Sequence, residues 1–387
     1  MQQRPVYLDY NATTPVDPQV LACMLPYFTE RFGNPSSKGH RYGLEAEAAV
    51  EVAREQLAVL LGAEPENLIF TSGATEALNL AIKGVAQALA HRGRHVVTVQ
   101  TEHAAVLEAC RALARRGWEV TYLPVDAEGR LDMAALEAAL RPDTVLLCVM
   151  WANNETGVLH PIPAIAQLAR DRGVPLLVDA TQAVGKIPVQ VTGIDLLACS
   201  AHKFYGPKGV GALYVRRKPE LRLQPLLDGG GQEQGLRSGT LNVPGIVGMG
   251  AAAVRAAEVM AEEMSRLQAL RDRLEQGLQG ALSGVRVNGA GAPRLPQTSS
   301  ITFEGVRADR LLAAARTLAL SAGSACGSGR GKPSHVLRAM GRTDTEAQAT
   351  IRISLGRFTT AADIDYALTE LIAAVERLRR SPAATFA

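Results

Sequence analysis

Seven lysines and 34 arginines make up the 41 basic residues of the chain, so each lysine can be weighed singly. Lys203 stands apart. It follows the apolar run Asp195–Ser200 in Ser200-Ala-His-Lys-Phe-Tyr-Gly-Pro207, beside a histidine and ahead of a glycine turn. A lysine that forms a Schiff base needs partial desolvation and a fixed approach to its carbonyl, and a strand end supplies both. Lys208 and Lys218 read as surface charges. Of five cysteines, Cys23, Cys110, Cys148 and Cys199 lie in apolar stretches and read as small core residues. Cys326 differs, because Ser321-Ala-Gly-Ser-Ala-Cys-Gly-Ser-Gly-Arg-Gly-Lys-Pro-Ser334 offers almost nothing to anchor it in a core. The odd count without CxxC spacing argues against a disulfide framework and a preformed structural metal site.

Other polar residues gather where apolar runs stop. Ile69-Phe-Thr-Ser-Gly-Ala-Thr-Glu-Ala77 reads as strand, glycine turn and helix start, where free N–H groups and the Thr75 hydroxyl suit a phosphate. His103 follows the run Val96–Val99 and suits stacking on a flat ring or moving a proton; a polar helix-start residue is the plainer reading. Asp179 closes another run and could pair with a protonated ring nitrogen, with Gln182 donating to a ring oxygen; a helix N-cap is the alternative. In strand-end order these are a phosphate cup, a stacking imidazole, a carboxylate, an amide and a lysine. Those are the parts that hold pyridoxal phosphate, the carboxylate keeping the ring nitrogen protonated.

The elements that position them are set by periodicity. Asn67–Thr71, His95–Gln100, Glu119–Pro124, Thr144–Met150, Pro175–Asp179, Asp195–Ser200 and Gly211–Val215 read as strands. Ala74–Ala90, Ala104–Arg116, Met133–Leu140 and Ile162–Arg172 read as helices. That alternation predicts a mostly parallel, seven-stranded sheet covered by helices on both faces, with ligands at the strands' carboxyl ends. After Arg217 come a glycine-rich loop (Asp228–Thr240), a long helix over 247–282, and weaker strands at 285–288, 299–303 and 350–354. They read as a smaller α+β domain.

Tyr10-Asn-Ala-Thr-Thr-Pro15, Gly33-Asn-Pro-Ser-Ser37, Thr71-Ser-Gly-Ala-Thr-Glu76, Asn153-Asn-Glu-Thr-Gly157, Ser200-Ala-His-Lys203, Arg237-Ser-Gly-Thr240, Gly323-Ser-Ala-Cys326 and Arg352-Ile-Ser-Leu-Gly-Arg-Phe-Thr359 resemble the signatures of cysteine desulfurases. These are class V aminotransferase-like, fold-type I pyridoxal-phosphate enzymes, and the cysteine loop is similar to that of the nitrogen-fixation and iron–sulfur-assembly branch. The resemblance runs from about Tyr7 to Leu371. It implies a large domain over 16–257 and a small one from 1–15 with 258–387. It also implies that Lys203 carries the cofactor, His103 stacks on the ring, Asp179 pairs with its nitrogen and Gln182 reaches its phenolic oxygen. Ala74, Thr75, Ser200 and His202 would bind the phosphate, with Thr240 supplied by the second subunit of a homodimer. Asn154 and Arg352 would hold the substrate, the guanidinium gripping its carboxylate.

The implied chemistry turns L-cysteine into L-alanine and leaves the sulfur as a persulfide on Cys326. It calls for an acceptor protein, such as an iron–sulfur scaffold or a tRNA-thiolation protein, and Cys326 is the one residue that could transiently ligate a nascent cluster. Arg330 and Lys332 lie near enough in sequence to lower the Cys326 pKa. Gln234 stands where relatives often carry arginine, and Gly327–Lys332 is more glycine-rich and basic than usual. Alternatives within enzymes are a selenocysteine lyase or a class V aminotransferase, and outside them a non-catalytic sulfur carrier or interaction subunit.

Composition bounds the rest. A chain of 387 residues, 47% apolar and 20% charged, is long enough for two or three folded domains. The formal charge of +3 argues against direct nucleic-acid binding as the main role. No uninterrupted apolar run approaches a membrane span, and the N-terminus shows no secretion signature, so the sequence predicts no membrane association and a cytoplasmic protein.

Overall fold

Seven of the apolar runs meet in one sheet. The computed structural model describes residues 4–217, 221–322 and 333–380, so Lys218 and the loop with Cys326, Arg330 and Lys332 lie outside the described residues. After a two-residue strand, β1 (Val6–Tyr7), come β2 (Leu68–Thr71), β3 (His95–Val99), β4 (Glu119–Leu123), β5 (Thr144–Met150), β6 (Leu176–Asp179), β7 (Leu196–Ser200) and β8 (Gly211–Val215). The sheet order is β2-β8-β7-β6-β5-β3-β4. β8 runs antiparallel to both neighbours and the remaining pairs are parallel.

Successive side chains on a strand face opposite ways, and the two faces are sealed by two different apolar clusters. Val97, Val99, Leu147, Val149, Val178 and Leu197 enter one, and Val96, Leu146, Cys148, Leu177 and Ala198 the other. Cys110, Cys148 and Cys199 are buried, as expected of small core residues. Burial pushes the Cys148 and Cys199 thiols up, Cys199 to about 12, so neither is a nucleophile at neutral pH. Cys23 departs from that expectation and is exposed. Its helix, Pro18–Met24, is short and buries Val20 and Met24, which leaves Cys23 off the packed side.

Strand order reverses between β3 and β5. From β3 the chain moves outward to β4, then returns across to β5 and continues to β6 and β7. At such a switch point the flanking connections diverge and open a crevice at the carboxyl ends.

A second sheet, in the order β12-β10-β9, is antiparallel and uses β9 (Val285–Val287), β10 (Thr298–Phe303) and β12 (Thr350–Ser354). β1 pairs in parallel with β11 (Leu318–Ala319). Leu8, Leu274, Ile301, Ile353 and Leu371 share a separate apolar cluster here. The helix Val243–Ala281 spans both regions: Met249 and Ala253 enter the large cluster, Leu270 and Leu274 the small one. It begins four residues earlier than periodicity predicts, because Asn242 accepts from Gly245 N and Pro244 fits the first turn. By length and composition alone it could cross a membrane. Its buried Gly and Ala face, packed on the helix Arg41–Leu61, makes it a core helix instead.

The glycine-rich loop is fastened to the sheet by a buried ion pair. Arg54 Nη2 lies 2.8 Å from Glu233 Oε1. Its Nη1 donates to Leu68 O at 2.7 Å, and Glu233 Oε2 accepts from Phe70 N at 2.6 Å. Removing one partner strands the other's charge in the interior. Arg54→Met should therefore cost about 3–5 kcal/mol in urea unfolding. An unchanged midpoint would show that the pair holds nothing.

His160 gives a second check. It is 4% exposed, its Nδ1 has no hydrogen-bond partner, and burial lowers its pKa to about 4. The unfolded chain takes up that proton near pH 6.5 and the native one resists it, so stability is lost as the pH falls from about 6.5 toward 4. His160→Gln should flatten the drop in urea midpoint between pH 7 and pH 5.

Candidate active site

The carboxyl ends of the strands open on a cavity of about 500 Å³. At one end is the N-terminus of the helix Ala74–Leu89, whose N-cap is Gly73 and which no side chain caps. The first-turn N–H groups of Ala74 and Thr75 thus lack the usual intrahelical partners and border the cavity. Gly73 has φ +154, a conformation side chains disfavour. Gly211 is needed for space, since a Cβ there would meet Gly73 Cα at 2.6 Å. Ser200 and His202 line the same end. His202 Nδ1 lies 3.1 Å from Thr13 Oγ1. Burial, reinforced by Lys203, Lys208 and Lys186, lowers the His202 pKa to about 4, so its ring is neutral at pH 7.

His103 borders the cavity after β3 and also caps its helix, its Nδ1 accepting from Ala105 N at 3.1 Å. In the neutral ring the proton therefore sits on Nε2. Asp179, at the end of β6, is buried and accepts from Thr181 N at 3.0 Å. The chain enters a turn after Asp179 rather than an α-helix, so the carboxylate does not act as a helix N-cap. Gln182 Nε2 donates to Asn11 O at 2.9 Å. Lys203, in a short turn after β7, donates from Nζ to Asn11 O and Ala12 O, both at 2.7 Å.

The far wall comes from the small sheet. Arg352 on β12 is 3% exposed, with Nη1 2.9 Å from Asn154 O and Nη2 2.8 Å from Asp9 Oδ1. Its Nε is buried without a hydrogen-bond partner. Asn154 lines the cavity as well.

The structure therefore brings Ala74, Thr75, His103, Asp179, Gln182, Ser200, His202, Lys203, Asn154 and Arg352 to one cavity. Thr240 is exposed and does not line it. Cys326 lies outside the described residues, and among the described residues no His/Cys/Asp/Glu group could hold a metal ion. Such an arrangement can seat a phosphate at the helix end, a flat ring between His103 and Asp179, and a carboxylate at Arg352.

Sequence reasoning passes over several residues here. Asn11 carries no individual signal inside its motif, yet its carbonyl is shared by Lys203 and Gln182. Glu155 is buried, lines the cavity and accepts from Ser334 Oγ at 2.5 Å. His335, also lining, reaches Glu102 O at 3.0 Å through Nε2. Glu102 is fully buried; burial, with Asp179 nearby, pushes its pKa well up and favours a protonated carboxyl. Lys186 donates to Gln182 Oε1 at 2.7 Å. The scarcity of lysines, with Lys186 four residues after Gln182, is a signal that could have found it.

The class-V aminotransferase family model matches residues 6–367. The chain is 53% identical to a protein named cysteine desulfurase IscS of Anaeromyxobacter dehalogenans over 377 residues, covering 97% of this chain and 93% of that one. It is 51% identical to the protein of that name from Pectobacterium carotovorum, covering 97% and 94%. A solved structure described as a NifS-like protein superposes with TM-score 0.90 at 38% identity, covering 96% of this chain and all of the other. The chain belongs to the class-V aminotransferase family and, within it, to the cysteine desulfurases.

Proposed function

We propose that the chain is a pyridoxal-phosphate enzyme that releases L-alanine from L-cysteine and holds the sulfur as a persulfide on Cys326, for delivery to an iron–sulfur assembly or tRNA-thiolation acceptor. The observation that carries this reading is the convergence on one cavity of an uncapped helix N-terminus, Asp179, Lys203 and Arg352. When bound, the cofactor withdraws electrons from the substrate and opens its sulfur to attack.

The chain's own residues do the rest. The N–H groups of Ala74 and Thr75, with Ser200 and His202, hold the phosphate. Asp179 would hold a proton at the ring nitrogen, His103 would pack on the ring, and Gln182 would donate to its oxygen. Lys203 Nζ would hold the cofactor, and the same amine is the base placed to take the substrate's α-proton. Arg352 and Asn154 orient the carboxylate so that the substrate's thiol faces the incoming Cys326. There an S–S bond forms as the substrate C–S bond breaks. L-Cysteine plus the enzyme thiol gives L-alanine plus the enzyme persulfide, with no external oxidant.

A homodimer completes the site. Thr240 is exposed on its own subunit and outside its own cavity, which suits a phosphate contact made in the partner's site. Leu21, Leu25, Phe28, Phe32, Tyr42 and Leu44 are exposed near the N-terminal helices, with the Phe32 and Tyr42 rings 5.3 Å apart. A second copy would cover such apolar side chains. The same reading divides the chain into a large domain, 16–257, and a small one, 1–15 with 258–387.

Incubation of the pyridoxal-phosphate-loaded protein with L-cysteine, without reductant, should add one sulfur atom to the Cys326 peptide, matched by released alanine. Cys326→Ala should keep the yellow colour and lose about a hundredfold or more in turnover. An aminotransferase would keep both, and a colourless protein that takes up no cofactor would mean a non-catalytic carrier. Arg352→Lys replaces a planar fork with a point charge, so the KM for L-cysteine should rise about tenfold or more. An unchanged KM would remove Arg352 from the substrate site.

A further inference from the structure

Lys186 lies beneath the site on a turn that faces two other cations. The segment Thr181–Lys186 leaves the end of β6 and brings the lysine back under Gln182. Its Nζ donates to Gln182 Oε1 at 2.7 Å and reaches Asn11 Oδ1 at 3.4 Å, both neutral amide oxygens. Among the described residues, none of the salt bridges involves Lys186. Burial, with Lys203 and Arg352 nearby, pulls its ammonium well below the ordinary lysine range. A position that only had to be filled would be served better by Leu or Met.

What an N–H donor can do there and an apolar side chain cannot is favour one end of an amide over the other. Gln oxygen and nitrogen are nearly the same size, so a glutamine beside a cavity can present either a donor or an acceptor. The Nζ–H donated at 2.7 Å turns Gln182 Oε1 toward Lys186. On the opposite side Nε2 already donates one hydrogen to Asn11 O at 2.9 Å. That bond agrees in sense with the first, and the second Nε2 hydrogen remains. Gln182 lines the cavity, so that hydrogen is the group it can offer there.

We propose that Lys186 is a positioning residue: it locks the Gln182 amide so that an N–H, not a carbonyl, faces the ring oxygen of the bound cofactor. The inference rests on the pyridoxal-phosphate reading above and adds a residue to it. The donor stabilises negative charge on the ring oxygen, so Lys186 tunes the cofactor without touching it. Without Lys186 the amide keeps only its bond to Asn11 O and Oε1 loses its donor, so the N–H is held less firmly toward the ring oxygen.

The test uses holoenzyme of the parent, Lys186→Met, Gln182→Leu and the double variant, titrated through pH by the visible absorption band of the bound cofactor. If Lys186 acts through Gln182, each single variant moves the band's pH midpoint the same way, by about one unit, and the double variant moves it no further than Gln182→Leu alone. Lys186→Arg, which keeps an obligate donor, should hold the midpoint near that of the parent. A merely structural lysine would lower the melting temperature and leave the midpoint in place, which would overturn the proposal. Additive shifts would overturn it too, because they would mean that Lys186 reaches the cofactor by another route. Should Lys186→Met fail to hold cofactor, the same comparison is made on Lys186→Arg, and a midpoint there equal to that of Gln182→Leu counts against the proposal. A parent protein with no visible band after incubation with pyridoxal phosphate would instead refute the functional reading itself.

Discussion

The carbonyl of Asn11 holds the site together. It accepts from Lys203 Nζ and from Gln182 Nε2, while the Asn11 side chain gives its amide hydrogens to Thr298 Oγ1 at 2.8 Å and Asn154 O at 3.3 Å. Thr298 belongs to the small sheet, Asn154 to the loop after β5, and Gln182 and Lys203 to the loops after β6 and β7. One residue of the N-terminal segment thus ties four separate chain segments to one point. Asn11 is 1% exposed and its bonds to Gln182 and Thr298 are buried, where an unmade bond carries the full desolvation cost. The small-sheet wall with Arg352 and the large-sheet floor with Lys203 keep their spacing because both are bonded to this segment.

The cavity's electrostatics are a consequence of that arrangement. Lys203 and Arg352 line one cavity together with Asp179 at the strands' ends, and Asp9 compensates Arg352. The two cationic side chains suit anionic groups of a ligand there. His202 contributes differently. Neutral at pH 7, it offers a hydrogen-bonding ring without adding a further charge to the cluster.

The sheet was legible because burial on both faces writes near-continuous apolar runs ending in polar residues, and all seven strands fall within about one residue of where those runs lie. The strand-end residues were legible together rather than singly: each had a plainer reading, and only their common place at the ends of buried runs joined them. What the sequence concealed are contacts across large separations. Asn11 bonds to residues 171 and 192 positions away, and no local pattern marks such a pair. Glu102 carries no signal of its own beside His103, because nothing local shows that its carboxyl is buried. Cys23 was misread because a seven-residue helix has too few turns for periodicity to say which side is packed.

Gln234 shows how a departure in sequence acquires a physical place. Glu233 and Gln234 both take positive φ, 46° and 60°, an uncommon pair of conformations for residues with side chains. The Arg54–Glu233 pair supplies the reason: the carboxylate must reach back to Phe70 N and the guanidinium, and the backbone turns sharply to let it. Gln234 then projects outward and donates from Nε2 to Glu66 O at 2.9 Å. An amide makes that bond without charge, so an arginine at this place would add a cation at the surface and leave the buried pair intact. The tight turn before Thr240 thus depends on Glu233, and the identity of residue 234 is free to follow the surface that the loop presents.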